Sequence, residues 1–143
     1  MTDRFRDSLG HNLHRVGQLI REETAKALGP FGITPEQWQL LVATAQTDGL
    51  TPSELGKRTL RDKTTISRIL PGLLKKGWLK TEPHSQDARS YIVKMAPDKV
   101  KVIEETLEAV RDHFTQSVFA PFSKAEQDMF LSMVVRLRDH LEK

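Results

Sequence analysis

The sequence predicts a mainly α-helical protein with one small β-hairpin, and three observations predict it. Apolar residues recur at intervals of three and four over most of the chain, the spacing that lines one helical face. Helix-start signals precede those runs: "TPEQ", "TPSE" and "SKAE" each place a hydroxyl residue three positions before Glu or Gln, the pattern of a capping box. Only "WLKTE" and "YIVKM" switch to aromatic and β-branched residues, and the polar "PHSQDARS" between them reads as the loop of a hairpin.

In chain order, Phe5, Leu9, Leu13, Val16 and Ile20 form one stripe, so a helix is expected from Asp3 to about Leu28. "GPFGI" stops it, because Gly29, Pro30 and Gly32 disfavour continuation. Thr34 then caps a helix that starts at Pro35, has Trp38, Leu41, Val42 and Ala45 inward and ends near Gly49. Thr51 and Pro52 open a short helix through Leu55 to about Arg58.

Asp62 is placed to cap the next stretch, "KTTISRILPGLLKKGW", where Ile66, Ile69, Leu70, Leu73 and Leu74 keep the helical period across Pro71. A continuous but kinked helix is expected, with Pro71 forfeiting the bond back to Ser67 at a cost of about 3 kcal/mol. Gly77 closes it as a C-terminal cap. After the hairpin, Val100, Ile103, Leu107, Val110, Phe114 and Val118 predict a long helix from Pro97. "APF" breaks it, and Ser123 with Glu126 starts a last helix carrying Phe130, Val134, Leu137 and Leu141 on one face.

The charge is unevenly spread. Residues 50 to 95 hold ten Lys or Arg against four Asp or Glu, a balance of +6, whereas residues 1 to 49 hold five against six and residues 96 to 143 seven against nine. A positive middle between slightly acidic flanks points to a localised anionic partner. There is no cysteine, which excludes disulfides, thiolate metal sites and thiol-based redox sensing. No apolar run approaches the roughly 18 residues of a membrane span, and the start lacks the pattern of a secretory signal, so a soluble, cytoplasmic protein is expected. His11 and His14 share a helical spacing without other ligands beside them, and no nucleophile motif, phosphate-binding glycine loop or paired buried acid is visible. The expectation is a non-enzyme with no metal and no cofactor.

Helix, short helix, helix with a polar exposed face, then hairpin is the order of a winged helix-turn-helix, in which the second helix of the pair enters the DNA major groove. The residue types suit that role. Lys63 and Arg68 supply cations, while Thr64, Thr65 and Ser67 supply short hydroxyls that reach base edges or phosphates.

Three segments in order, "ELGKRTLRDKTTISRIL", "LLKKGWLKTE" and "SQDARSYIVKMAPDKVKVIE", resemble the MarR-type (multiple antibiotic resistance regulator) transcription factors, and the resemblance covers nearly the whole chain. It implies one unit over residues 1–143, with residues 1–28 and 97–143 as dimerisation helices and 34–96 as the DNA-binding lobe. It implies a homodimeric repressor on a pseudo-palindromic duplex site, released by a small aromatic or anionic effector. By the same resemblance Arg89 of the wing enters the minor groove beside Asp87, which orients it; a narrow groove concentrates negative potential and attracts arginine. Thr51 and Ser53 at the start of the short helix contact phosphate, His84 belongs to the same interface, and His14, Arg15 and Trp38 are candidates for an effector pocket. Two positions depart from the family pattern: Pro71 with Gly72 inside the recognition helix, and Ala96 where a capping hydroxyl is common.

Taken singly, the polar face reads as solvated helix surface, and Asp87 with Arg89 as a surface ion pair worth under about 1 kcal/mol. The basic segment and the hairpin together favour DNA contact. For His14, Arg15 and Trp38 the alternatives stay open, Trp38 as core and Arg15 as surface charge. The functional alternative is a winged-helix module that binds protein without sequence-specific DNA binding, for which the salt dependence on DNA is weak and sequence-blind.

Overall fold

The computed structural model describes residues 3–143; Met1 and Thr2, part of the predicted N-terminal arm, lie outside the described residues. In place of one helix from Asp3 to Leu28 there are two, α1 (Asp3–Arg6) and α2 (Leu9–Leu28). Ser8 is the reason. Its backbone is extended and its hydroxyl accepts from the His11 amide at 3.3 Å, so it caps a new helix instead of continuing the old one. The Asn12 side-chain amide donates to the Arg6 carbonyl at 2.7 Å and fixes the corner.

A 3₁₀ turn (Gly29–Phe31) leads to α3 (Pro35–Ala45), followed by α4 (Pro52–Thr59). Both helices carry the capping box their sequences promise, Thr34 with Gln37 and Thr51 with Glu54. α3 is packed by α2, α4, α5 (Lys63–Lys75), α6 (Val100–His113) and the hairpin, so its inner side is not a single apolar stripe. Leu40, Leu41 and Thr44 are fully buried, whereas Trp38 and Val42 are half-buried and Ala45 is exposed, contrary to the expected inward set.

Asp62 caps α5 by accepting from the Thr65 amide at 2.7 Å, and the helix runs through Pro71, which lies on its exposed side. At its end Gly77 adopts a φ of +80°, and the amides of Gly77 and Trp78 reach back to the carbonyls of Leu74 and Leu73, both at 3.1 Å. This crossed pair is a Schellman closure, which needs the left-handed glycine. Strands β1 (Leu79–Pro83) and β2 (Tyr91–Met95) pair antiparallel from Leu79 opposite Met95 to Pro83 opposite Tyr91, and Leu50 bridges Val93 at the free edge.

Pro97–Lys99 forms a 3₁₀ turn before α6, and Ala96 contributes no side-chain cap, as its missing hydroxyl requires. The predicted long helix changes to a π-helical turn at Phe114–Val118 before α7 (Lys124–Leu141), which starts with the Ser123 and Glu126 capping box. The core gathers Leu28, Leu40, Leu41, Leu55, Ile66, Leu73, Val93 and Ile103 beneath α3. Two polar contacts join the terminal helices to α3, Arg21 to Glu36, bidentate at 2.7 and 2.6 Å, and the Trp38 indole N–H to Thr106 Oγ1 at 2.9 Å, while His113 to Glu23 at 2.7 Å ties α6 to α2. α7 has no buried residue, and Phe130, Val134, Leu137 and Leu141 are all exposed. No helix among the described residues is long and apolar enough to cross a membrane.

Candidate nucleic-acid interface

α5 buries Ile66, Leu70 and Leu73, and the helical period therefore turns Lys63, Thr64, Ser67 and Arg68 outward, where all four are exposed. Thr65 is different. It is half-buried, and its amide donates to the Asp62 carboxylate at 2.7 Å; the Thr65 contact foremost holds that carboxyl below its ordinary pKa, with a smaller contribution from the charge of Arg68. The cap thus fixes the reading end of α5.

α4 approaches α5 closely. A Cβ on Gly56 would stand 2.8 Å from the carbonyl oxygen of Arg61, so only glycine permits this turn. Leu60 in the same turn has a φ of 55°, a left-handed conformation that costs a β-carbon-bearing residue about 1–2 kcal/mol. Thr51 Oγ1 accepts from the Glu54 amide at 3.1 Å, and Ser53 is exposed. Between α4 and α5 lies a cleft of about 750 Å³ lined by Ser53, Lys57, Arg61, Lys63, Ser67 and Tyr91.

The wing is ordered by its own side chains. His84 Nδ1 accepts from the amides of Gln86 and Asp87, each at 3.1 Å, and the Asp87 carboxylate accepts from the Arg89 amide at 3.0 Å. His84 therefore shapes the tip through Nδ1 and leaves Nε2–H free to donate. Asp87 fixes the backbone of Arg89 and leaves its guanidinium without an ion pair among the described residues. Behind the tip Glu82 sits between Lys94 at 2.8 Å and Lys80 at 3.4 Å, and the Lys94 contact foremost holds its carboxyl below the usual range.

The three pocket candidates do not meet. His14 and Arg15 are exposed on α2, where Arg15 reaches Gln18 at 3.4 Å. Trp38 borders a separate cleft with Val42, Gln46, Arg58 and Leu60, and neither His14 nor Arg15 lines it. Of the paired histidines, His11 packs its ring on Phe5 at 4.6 Å. One cation escaped the sequence reading: Arg61, in the turn between α4 and α5, lines clefts on both flanks of α5. Its signal in the sequence was only its place beside the cap Asp62.

Residues 31–90 match the model of the MarR family. The multiple antibiotic resistance protein MarR of Salmonella typhimurium is 32% identical over 97 residues, spanning 68% of this chain and 67% of that protein. The chain belongs to the MarR family. Among solved structures, a mutant MarR from Escherichia coli complexed with operator DNA superposes with a TM-score of 0.83 at 25% identity, covering 95% of this chain and 99% of that one. A Mycobacterium tuberculosis MarR family protein in complex with salicylic acid gives a TM-score of 0.74 at 25% identity, covering 91% and 96%. The MarR fold thus extends over the terminal helices as well as the winged lobe, and the family's members are transcription regulators.

Proposed function

We propose that this MarR-family regulator acts in the cytoplasm as a homodimeric repressor that binds a pseudo-palindromic duplex site and is released by a small aromatic or anionic effector. The observation that carries the reading is the outward face of α5: Lys63, Thr64, Ser67 and Arg68 stand exposed beside a cationic cleft, with an ordered wing following in the chain. In this reading those four side chains and the half-buried Thr65, whose amide serves the Asp62 cap, face the major groove. Thr51 and Ser53 face phosphate, His84 and Asp87 hold the wing tip, and Arg89 enters the minor groove. Residues 34–96 form the DNA-binding lobe.

The exposed apolar faces of α2 and α7 support residues 1–28 and 97–143 as the dimerisation part, because monomers seldom leave so much contiguous apolar surface in water. The effector is assigned to the space between the dimerisation helices and the DNA-binding lobe, with His14, Arg15 and Trp38 as candidate contacts; it acts only through unequal affinity for the DNA-bound and free conformations.

Binding of a labelled operator by wild type and Arg89→Ala, across a salt titration, tests the reading. Arg89→Ala is expected to lose about 1–3 kcal/mol, a range taken from charged groove contacts, with the dimer intact. An unchanged affinity at every salt concentration removes Arg89 from the interface.

A further inference from the structure

A helix lying in the major groove has a phosphate strand on each flank, about 12 Å apart, so a protein that grips both strands needs anion-binding groups on both sides of its reading helix. α5 has a cleft on each side. The flank toward α4 carries the predicted phosphate contacts. The other flank, toward the start of α3, is a cleft of about 280 Å³ whose lining includes Thr34, Gln37, Arg61, Thr65, Arg68 and Gly72; Thr65 and Arg68 of α5 were expected to contact DNA, whereas no contact was assigned to Arg61.

Two guanidinium groups meet in this second cleft, and its carboxylates are already engaged. Glu36, which also lines it, is bound by both nitrogens of Arg21, and the neighbouring Asp62 caps Thr65. Among the described residues no carboxylate oxygen lies within 4.0 Å of an Arg61 or Arg68 nitrogen. Arg61 Nη2 donates to the neutral Gln39 amide oxygen at 2.7 Å, which holds the group in place without cancelling its charge, and its Nε is buried with no protein partner. A guanidinium stays charged and presents five donors in a planar fork suited to an oxyanion.

We propose that Arg61, positioned by Gln39, is a DNA-backbone contact that grips the phosphate strand on the α3 flank of the recognition helix. The inference rests on the DNA-binding reading above. The oxyanion is assigned to DNA because Thr65 and Arg68 belong at once to this cleft and to α5, so a duplex read by α5 brings its backbone alongside Arg61.

The test is the dependence of operator affinity on salt from about 50 to 200 mM, where each neutralised phosphate contributes about 0.9 to the slope of log K against log salt. Arg61→Gln removes the charge together with the reach to Gln39; it is expected to lower the slope by about one and to weaken operator and scrambled DNA alike, about tenfold at the low-salt end. Arg61→Lys is expected to keep the slope, and so is Gln39→Ala, which removes the tether but not the charge. If Arg61 serves only to hold α3 against α5, Gln39→Ala and Arg61→Gln change binding equally, and the proposal falls. It falls too if Arg61→Gln keeps the wild-type slope while losing its response to salicylate, which would make the cleft a free-anion site. A wild-type protein with no salt slope at all would instead refute the DNA-binding reading beneath it.

Discussion

Asp62 links folding to reading at the scale of one residue. Its carboxylate holds the first turn of α5 by accepting from the Thr65 amide, and that bond keeps its pKa below the ordinary carboxylate value. A carboxyl depressed in the folded state contributes stability above its unfolded pKa and loses it as pH falls through the folded one. Asp62→Ala is therefore expected to be less stable than wild type in urea unfolding at neutral pH, with the gap closing below about pH 4, where the unfolded-state carboxyl also protonates. A gap independent of pH would show that the charge is not what the cap needs. Asp62 was legible in the sequence because capping is local, three residues from donor to acceptor. Arg61 was not, since its partner Gln39 is 22 residues away and faces it only once α3 and α5 have packed. The same distinction separates Asp87, legible as wing-orienting by resemblance, from its means, a backbone bond to Arg89 that only the loop conformation reveals.

Among the elements, α5 answers why a recognition helix tolerates Pro71 and Gly72. Pro71 lies on the exposed side, where its ring meets solvent, and the apolar residues Ile66, Leu70 and Leu73 hold the helix to the core on both sides of it. Packing outweighs propensity here, as the unbroken apolar period foretold. Pro71→Ala restores an amide donor for the Ser67 carbonyl and is expected to raise stability by up to about 3 kcal/mol in urea unfolding. If the proline also sets the angle at which α5 meets DNA, the same variant binds its operator more weakly or with altered preference; unchanged binding limits Pro71 to a stability cost. The hairpin and the caps of α3, α4 and α7 were readable for the reason Asp62 was. The corner at Ser8 was missed because the apolar stripe passes through it: Phe5 and Leu9 keep helical spacing although Ser8 starts a new helix between them.

The whole molecule is divided by where its apolar surface goes. The lobe around α3 buries Leu40, Leu41, Leu55 and Leu73 within one chain, whereas α7 leaves Phe130, Val134 and Leu137 exposed along one face and buries none. Phe130→Glu with Leu137→Glu is expected to convert a dimer to a monomer in light scattering, while the lobe keeps its helical spectrum; a dimer that survives both charges would place the interface elsewhere. A chain pattern alone does not distinguish a stripe buried within one molecule from one buried between two; the number of long amphipathic helices in so small a chain and, above all, the family resemblance pointed to the second. Whether the face of α5 with its wing reads a two-fold DNA site is decided by selecting genomic fragments with the purified protein and sequencing them. An enriched inverted repeat with half-sites about 10 base pairs apart is expected, one for each recognition helix of a dimer. A folded dimer that enriches no motif at moderate salt would contradict that reading.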